Sequence, residues 1–284
     1  MTKAEQFTEP CTFHGEGPFW DAANSRLLLV DMLAGAVVDV DEQGRAGRRI
    51  LGSVAAALRA RRGGGYLLAT ENRVVLLGPD LTPETELPPF FVDPLVRMND
   101  GGCDPQGRFY IGTMAYDETP GAGMLYRLDP DHSVSVALRD VTISNGLQWT
   151  RAGDTALYVD TPTGRVDRFD FDAGSGLFSG RRPFASISGP GQPDGMAVDE
   201  EDGIWVALWG GGAVHRYDAD GRLDHVVELP VSQVTACTFG GPDLRTLFIT
   251  TSRQGVEPGD QPEAGAVFRY ETGVRGAAPH SFAG

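Results

Sequence analysis

Lysine is almost missing from this chain. Lys3 is the only lysine in 284 residues and the only one of the 24 basic residues that is not arginine. Schiff-base chemistry and a phosphate-cradling P-loop are set aside, because each would have to be built on Lys3 near the chain end. Cysteine is scarce too. Cys11, Cys103 and Cys237 are far apart, odd in number and without a C-x-x-C pair. They read as small buried or half-buried thiols, with no zinc-thiolate or redox motif. No basic-then-apolar opening resembles a signal peptide, and no apolar run approaches a membrane span. Positive charge is itself in deficit: the formal net charge is -15. Such a surface repels phosphate backbones and anionic lipid, so the expectation is a cytoplasmic protein without nucleic-acid or membrane partners. The sequence is silent on oligomeric state.

Other chemistries are missing as motifs. GLFSG (Gly176–Gly180) departs from the G-x-S-x-G spacing of a serine nucleophile, and the five histidines form no H-E-x-x-H. His14 precedes Glu16 near what reads as a channel mouth, but no functional role is assigned to it. The GGG runs at Gly63–Gly65 and Gly210–Gly212 open no predicted helix and read as turns. Trp20, Trp149, Trp205 and Trp209 read as core.

What the chain does have is repetition, with 38 glycines and 19 prolines to turn it. Six segments share an apolar stretch, a small turn and an alternating stretch closing on an acidic turn. They are Leu27–Gly44, Tyr66–Asp80, Phe109–Asp129, Ala156–Asp172, Ile204–Gly221 and Leu247–Tyr270, the third and sixth split by insertions. Their spacing of roughly 40–50 residues is that of a four-stranded propeller blade. Alternation in VHRYDADG and VDRFDFD suits strands with one buried face, and DEQG and DADG suit hairpin turns. DADG resembles the start of a calcium loop, but no EF-hand spacing follows. No long stretch has a helical period and no linker divides the chain. The expectation is all-β: residues 1–284 as a single six-bladed β-propeller of four-stranded antiparallel blades.

Each repeat needs one further strand before it, the innermost of its blade. Four of those preceding segments place a polar residue before glycine: Glu16-Gly17, Asp100-Gly101, Asn145-Gly146 and Asp194-Gly195. The segments SVAAALRA and QVTACTFGG, for the second and sixth blades, carry no acid there. Any one pair alone would read as a turn. Four in phase with the repeat converge on the propeller axis, where Glu, Asp and Asn oxygens form a hard donor set for one divalent cation: Ca, Mg, Mn, Zn or Fe(II). Without a cation, converging carboxylates raise one another's pKa.

With EGPFW, RMNDG-x-x-DPQGRFYIGTM, ISNGLQW, LYVDT, PDGMAVD and WVALWGGGAVHRYDADG in view, the chain resembles the SMP-30/gluconolactonase family, also called regucalcin-like. These are six-bladed, metal-dependent lactonases. The resemblance spans nearly the whole chain and implies Glu16, Asn145 and Asp194 as metal ligands and Arg97 and Asn99 as substrate-facing residues. Repeat phasing selects Asp100 where the resemblance selects Asn99. Strand neighbours point to opposite faces, so the expectation is that only Asn99 enters the channel and Asp100 turns into a supporting network. Where the family often has glutamate after GTM, the matching residue is Asp117, followed by Glu118, in a loop (Tyr116–Gly123) that reads as a partial lid.

The implied reaction is opening of a small sugar-type lactone (an aldonolactone) to its hydroxy acid. In it Asp194 takes a proton from the attacking water, or merely orients hydroxide on the metal. Arg97, Asn99 and Asp117 would hold the ring. Two alternatives stay open: an esterase or organophosphatase on the same site, and a propeller that binds metal or ligand without catalysis.

Overall fold

A computed structural model describes residues 2–284. The six repeats fold into six sheets of four antiparallel strands, arranged in a ring, as the spacing predicts. Each inner strand is the one expected just before its repeat: Gly15–Asp21, Ala57–Ala60, Val96–Cys103, Ser144–Trp149, Gln192–Val198 and Val234–Gly240 for blades 1 to 6. Blade 6 is completed from the other end of the chain, by Glu5–Gln6 pairing antiparallel with Phe268–Glu271, which closes the ring. Thr2–Lys3 adds a short parallel strand outside blade 5. Among the described residues there is no α-helix, only single 3₁₀ turns at Met32–Ala34 and Thr161–Thr163. No helix is long and apolar enough to cross a membrane.

Burial explains why the axis is free for chemistry. Apolar side chains form clusters between neighbouring blades, such as Leu28, Val30 and Leu58 between blades 1 and 2, and Trp205 and Phe239 between blades 5 and 6. The core is therefore a ring of interfaces, and the innermost strands turn small or polar residues toward the axis. Outermost strands such as Pro83–Glu86 are fully exposed and polar, which discourages edge pairing with other chains.

One feature had no signal in the sequence. After blade 6 the chain crosses beneath the axis. Ala277, Phe282 and Ala283 donate backbone hydrogen bonds to Val198, Ala60 and Gly107, on blade 5, on blade 2 and between strands of blade 3. Phe282 is fully buried. This strap lines a lower cavity, and a second, upper cavity opens on the opposite side of the inner strands.

Candidate active site

The polar-glycine pairs that marked the sequence are β-bulges. Pairing of the inner strand slips between Glu16 and Phe19, Met98 and Gly101, Asn145 and Leu147, and Pro193 and Met196. A bulge re-aims the side chains beside it, and glycine permits the local backbone. Gly17 needs a left-handed φ of 52°, and a Cβ on Gly195 would stand 2.5 Å from the Ala236 Cβ of the next blade. Blades 1 and 4 share a further device. Asp31 accepts the Phe13 and His14 amides, and Asp160 accepts the Thr142 and Ile143 amides, fixing the chain just before Glu16 and Asn145.

Glu16, Asn145, Asp194, Arg97 and Asn99 all line the upper cavity, and all are buried. A hydrogen-bond chain ties three blades together. Arg97 Nη1 donates to Asn99 Oδ1 (2.6 Å), and Asn99 Nδ2 donates to the Ser144 carbonyl (2.9 Å) and to Asn145 Oδ1 (3.3 Å). Asn145 Nδ2 donates to Thr161 Oγ1 (2.9 Å), whose hydroxyl donates to the Pro193 carbonyl just before Asp194 (2.9 Å). The Asn145 amide is thereby held with its oxygen on the side of the Asn99 amide.

The electrostatics fit a cation. Burial, and then the Asp100 charge, push Glu16 up to about 8. Burial, then Glu16 and Asp100, hold Asp194 well above the carboxylate range. Asp194 Oδ1 is buried with no hydrogen-bond partner. An orphaned carboxylate oxygen beside a second strained carboxyl and an oriented amide oxygen is the donor chemistry of a hard or borderline divalent ion. Among the described residues no three His, Cys, Asp or Glu side chains gather as a metal cluster; the three expected ligands are two acids and one amide.

The chain is similar to known proteins over nearly its whole length. The family model described as SMP-30/Gluconolactonase/LRE-like region matches residues 14–253. The chain belongs to this family. Human regucalcin is 36% identical over 95% of both chains. A regucalcin structure from Agrobacterium tumefaciens, described as a calcium-binding protein, superposes with a TM-score of 0.92 at 29% identity, covering 99% of this chain and 97% of its own. A luciferin-regenerating enzyme gives 0.91 at 28% identity over 99% of both chains.

Within this SMP-30/gluconolactonase propeller, three expectations need correction. Asp100 does not leave the channel: it lines the lower cavity, 3.9 Å from Arg59 Nη2, while Asn99 lines the upper one. Strict alternation fails because the bulge lies at this point, so neighbours serve two levels of one axis. Asp117 does not reach the site. It is exposed, and its Oδ1 accepts from the Thr119 hydroxyl and amide, which hold its carboxyl below the usual range. The cavity is lined instead by Glu118, at φ 58°. Trp209 is the third correction. The other three tryptophans are buried, whereas Trp209 is half-buried and lines the upper cavity.

His14, to which the sequence assigns no role, lines the same cavity. Its Nδ1 meets Ser252 Oγ at 2.8 Å, and its Nε2 stands 3.9 Å from Glu16 Oε1. Burial, helped by the charge of Arg97, lowers it to about 4, so the imidazole is neutral near pH 7. The available signal was its place two residues before Glu16, on the same strand face. Tyr116, at the start of the expected lid loop, lies 5.9 Å from the Arg97 guanidinium and donates to Glu71 Oε1 (2.6 Å).

Proposed function

We propose that this chain is a metal-dependent lactonase that opens a small sugar-type lactone to its hydroxy acid. The observation that carries the reading is the partnerless, buried Asp194 Oδ1 beside Glu16 and Asn145, in one cavity with Arg97 and Asn99. Glu16, Asp194 and the Asn145 amide oxygen would hold the ion. A divalent cation there supplies a Lewis acid for the ester carbonyl and for the oxyanion that develops on it. Asp194 would hold the attacking water and accept its proton at a carboxylate oxygen. The water oxygen bonds to the carbonyl carbon, the ring C–O bond breaks, and the proton passes to the departing ring oxygen. Arg97, Asn99 and, in place of Asp117, Glu118 would bind the ring substituents and hold the lactone for attack.

The upper cavity, about 130 Å³, is small beside the roughly 300–1,000 Å³ of sites for drug-sized ligands. That favours a compact lactone over a bulky ester or organophosphate. Initial rates on aldonolactones and on aryl esters, with spontaneous opening subtracted, test the substrate class. Glu118→Ala is expected to raise KM for hydroxylated lactones roughly 10- to 100-fold, the loss of one charge-assisted hydrogen bond. Asp117→Ala should stay within about twofold, since its carboxyl is committed to Thr119. Faster turnover of aryl esters, or a larger effect at Asp117 than at Glu118, would contradict the assignment. A relative described as calcium-binding supports a second reading, cation binding without catalysis. That reading predicts bound metal and no rate above the spontaneous one.

A further inference from the structure

We propose that Trp209 is the specificity-determining residue of this site: its indole is the platform on which the apolar face of a cyclic, hydroxylated lactone rests, while Arg97, Asn99 and Glu118 take the hydroxyl edge. The inference builds on the lactonase reading and narrows it to ring substrates with one apolar face.

Four tryptophans occupy the chain, and three serve the blades. Trp20 stacks on Phe248, Trp149 packs on Tyr110 and Phe171, and Trp205 packs on Phe239, all three at most 9% exposed. Trp209 stands apart. It ends the second strand of blade 5, pairs with Gln192 at the start of the inner strand, and bridges to Gln233 beyond. Blade packing does not account for a half-buried indole in a cavity whose other lining is mostly polar, with Met114 and Ile143 as its aliphatic side chains.

Two features hold the indole in place and leave its surroundings open. Its ring lies 5.8 Å from the His14 ring at 79°, an edge-to-face contact. His14 is itself tied by its amide to Asp31 and by its ring to Ser252. On the other side the chain leaves through Gly210, Gly211 and Gly212, where φ reaches 75° at Gly210 and 61° at Gly212. No side chain of this turn covers the indole. Arg97, Asn99 and Glu118 all come from blade 3, two blades away round the ring. The cavity thus carries an aromatic side chain on its blade 5 side and, on its blade 3 side, hydrogen-bonding groups beside Met114 and Ile143. A small ring with C–H groups on a face and hydroxyls at its rim matches both. An acyclic alkyl ester offers no ring face to the indole.

The test uses the full chain loaded with metal, and a sugar lactam as a ring analogue that is not hydrolysed. Trp209→Ala and Trp209→Leu are expected to raise KM for aldonolactones roughly 5- to 50-fold, with kcat within about threefold and bound metal unchanged. Trp209→Phe should keep most of the affinity. Lactam should change tryptophan fluorescence in the wild type but not in Trp209→Phe, although it still inhibits that variant, because the remaining indoles are buried in the blades. Leucine keeps apolar volume without a flat face, so it serves should the alanine variant fold poorly. An unchanged KM in both variants, or a fluorescence response that survives in Trp209→Phe, overturns the platform while leaving the lactonase reading intact. A wild type that neither opens lactones nor binds the lactam overturns both.

Discussion

Replacing Asp194 with alanine is expected to lower cation affinity on the order of 100-fold or more and to remove most lactone hydrolysis, yet to stabilise the metal-free protein. Both signs come from one geometry. Asp194 and Glu16 are both buried carboxyls, the Glu16 charge adds to the cost of charging Asp194, and Asp194 Oδ1 has no partner to compensate. With a cation the pair is neutralised. Without one, deleting Asp194 removes a buried carboxyl oxygen that has no partner. The substitution lies at a bulge rather than in an inter-blade cluster, so the cavity it leaves costs little packing. Bound metal per chain, turnover, and melting temperature in chelator check the three parts. Wild-type metal content and rate in the variant would remove Asp194 from the site. A metal-free variant melting well below metal-free wild type would show that the carboxylate supports the fold instead.

Metal should stabilise this protein more as pH rises. Glu16 is pushed up to about 8 in the folded, metal-free chain, against about 4.5 when unfolded, and Asp194 is raised in the same direction. A carboxyl with a raised folded pKa contributes fully below its unfolded value, and that contribution is lost as pH climbs through the folded one. Between about pH 4.5 and 8 the folded state holds protons that the unfolded chain has released. Each such proton costs about 1.4 kcal/mol of stability per pH unit. Cation binding displaces those protons, so it releases protons and cancels the loss. Melting curves of chelated and metal-loaded protein should therefore lie close together near pH 5 and separate by several degrees by pH 8. A gap that is constant across this range would mean that the carboxyls are ionised in the metal-free fold and that the buried pair has been misread.

The fold was legible because blade interfaces force a repeating pattern. Alternation in strands such as VHRYD, acidic turns and a period near 40–50 residues leave few other architectures. Glu16, Asn145 and Asp194 were legible for a related reason: each sits before a glycine at the same place in its repeat, and that place is a bulge on the axis. The bulge itself was not. Strand alternation implied that Asn99 and Asp100 exclude each other from the channel, whereas the slipped register lets them line separate cavities. The Asp117 position shows a different limit. D-x-T is the pattern of an aspartate folded back onto its own turn, and that local bond withdraws the side chain and leaves the cavity to Glu118. His14 and Trp209 lie in segments whose residues were correctly placed on strands, but whether a strand end faces a neighbouring blade or the open cavity is decided by tertiary packing. The strap through Phe282 carries no periodicity, because it follows the underside of the ring and belongs to no blade.

The central claim is that one cation, held by Glu16, Asn145 and Asp194, is required to open a lactone. Titrating metal-free protein with a divalent cation, while following aldonolactone hydrolysis above the spontaneous rate and metal bound per chain, tests it most directly. The account predicts that the rate rises in proportion to bound metal, levels at one ion per chain, and fails to rise in Asp194→Ala at the same ion concentration. Full hydrolysis by protein shown to hold no metal would contradict it.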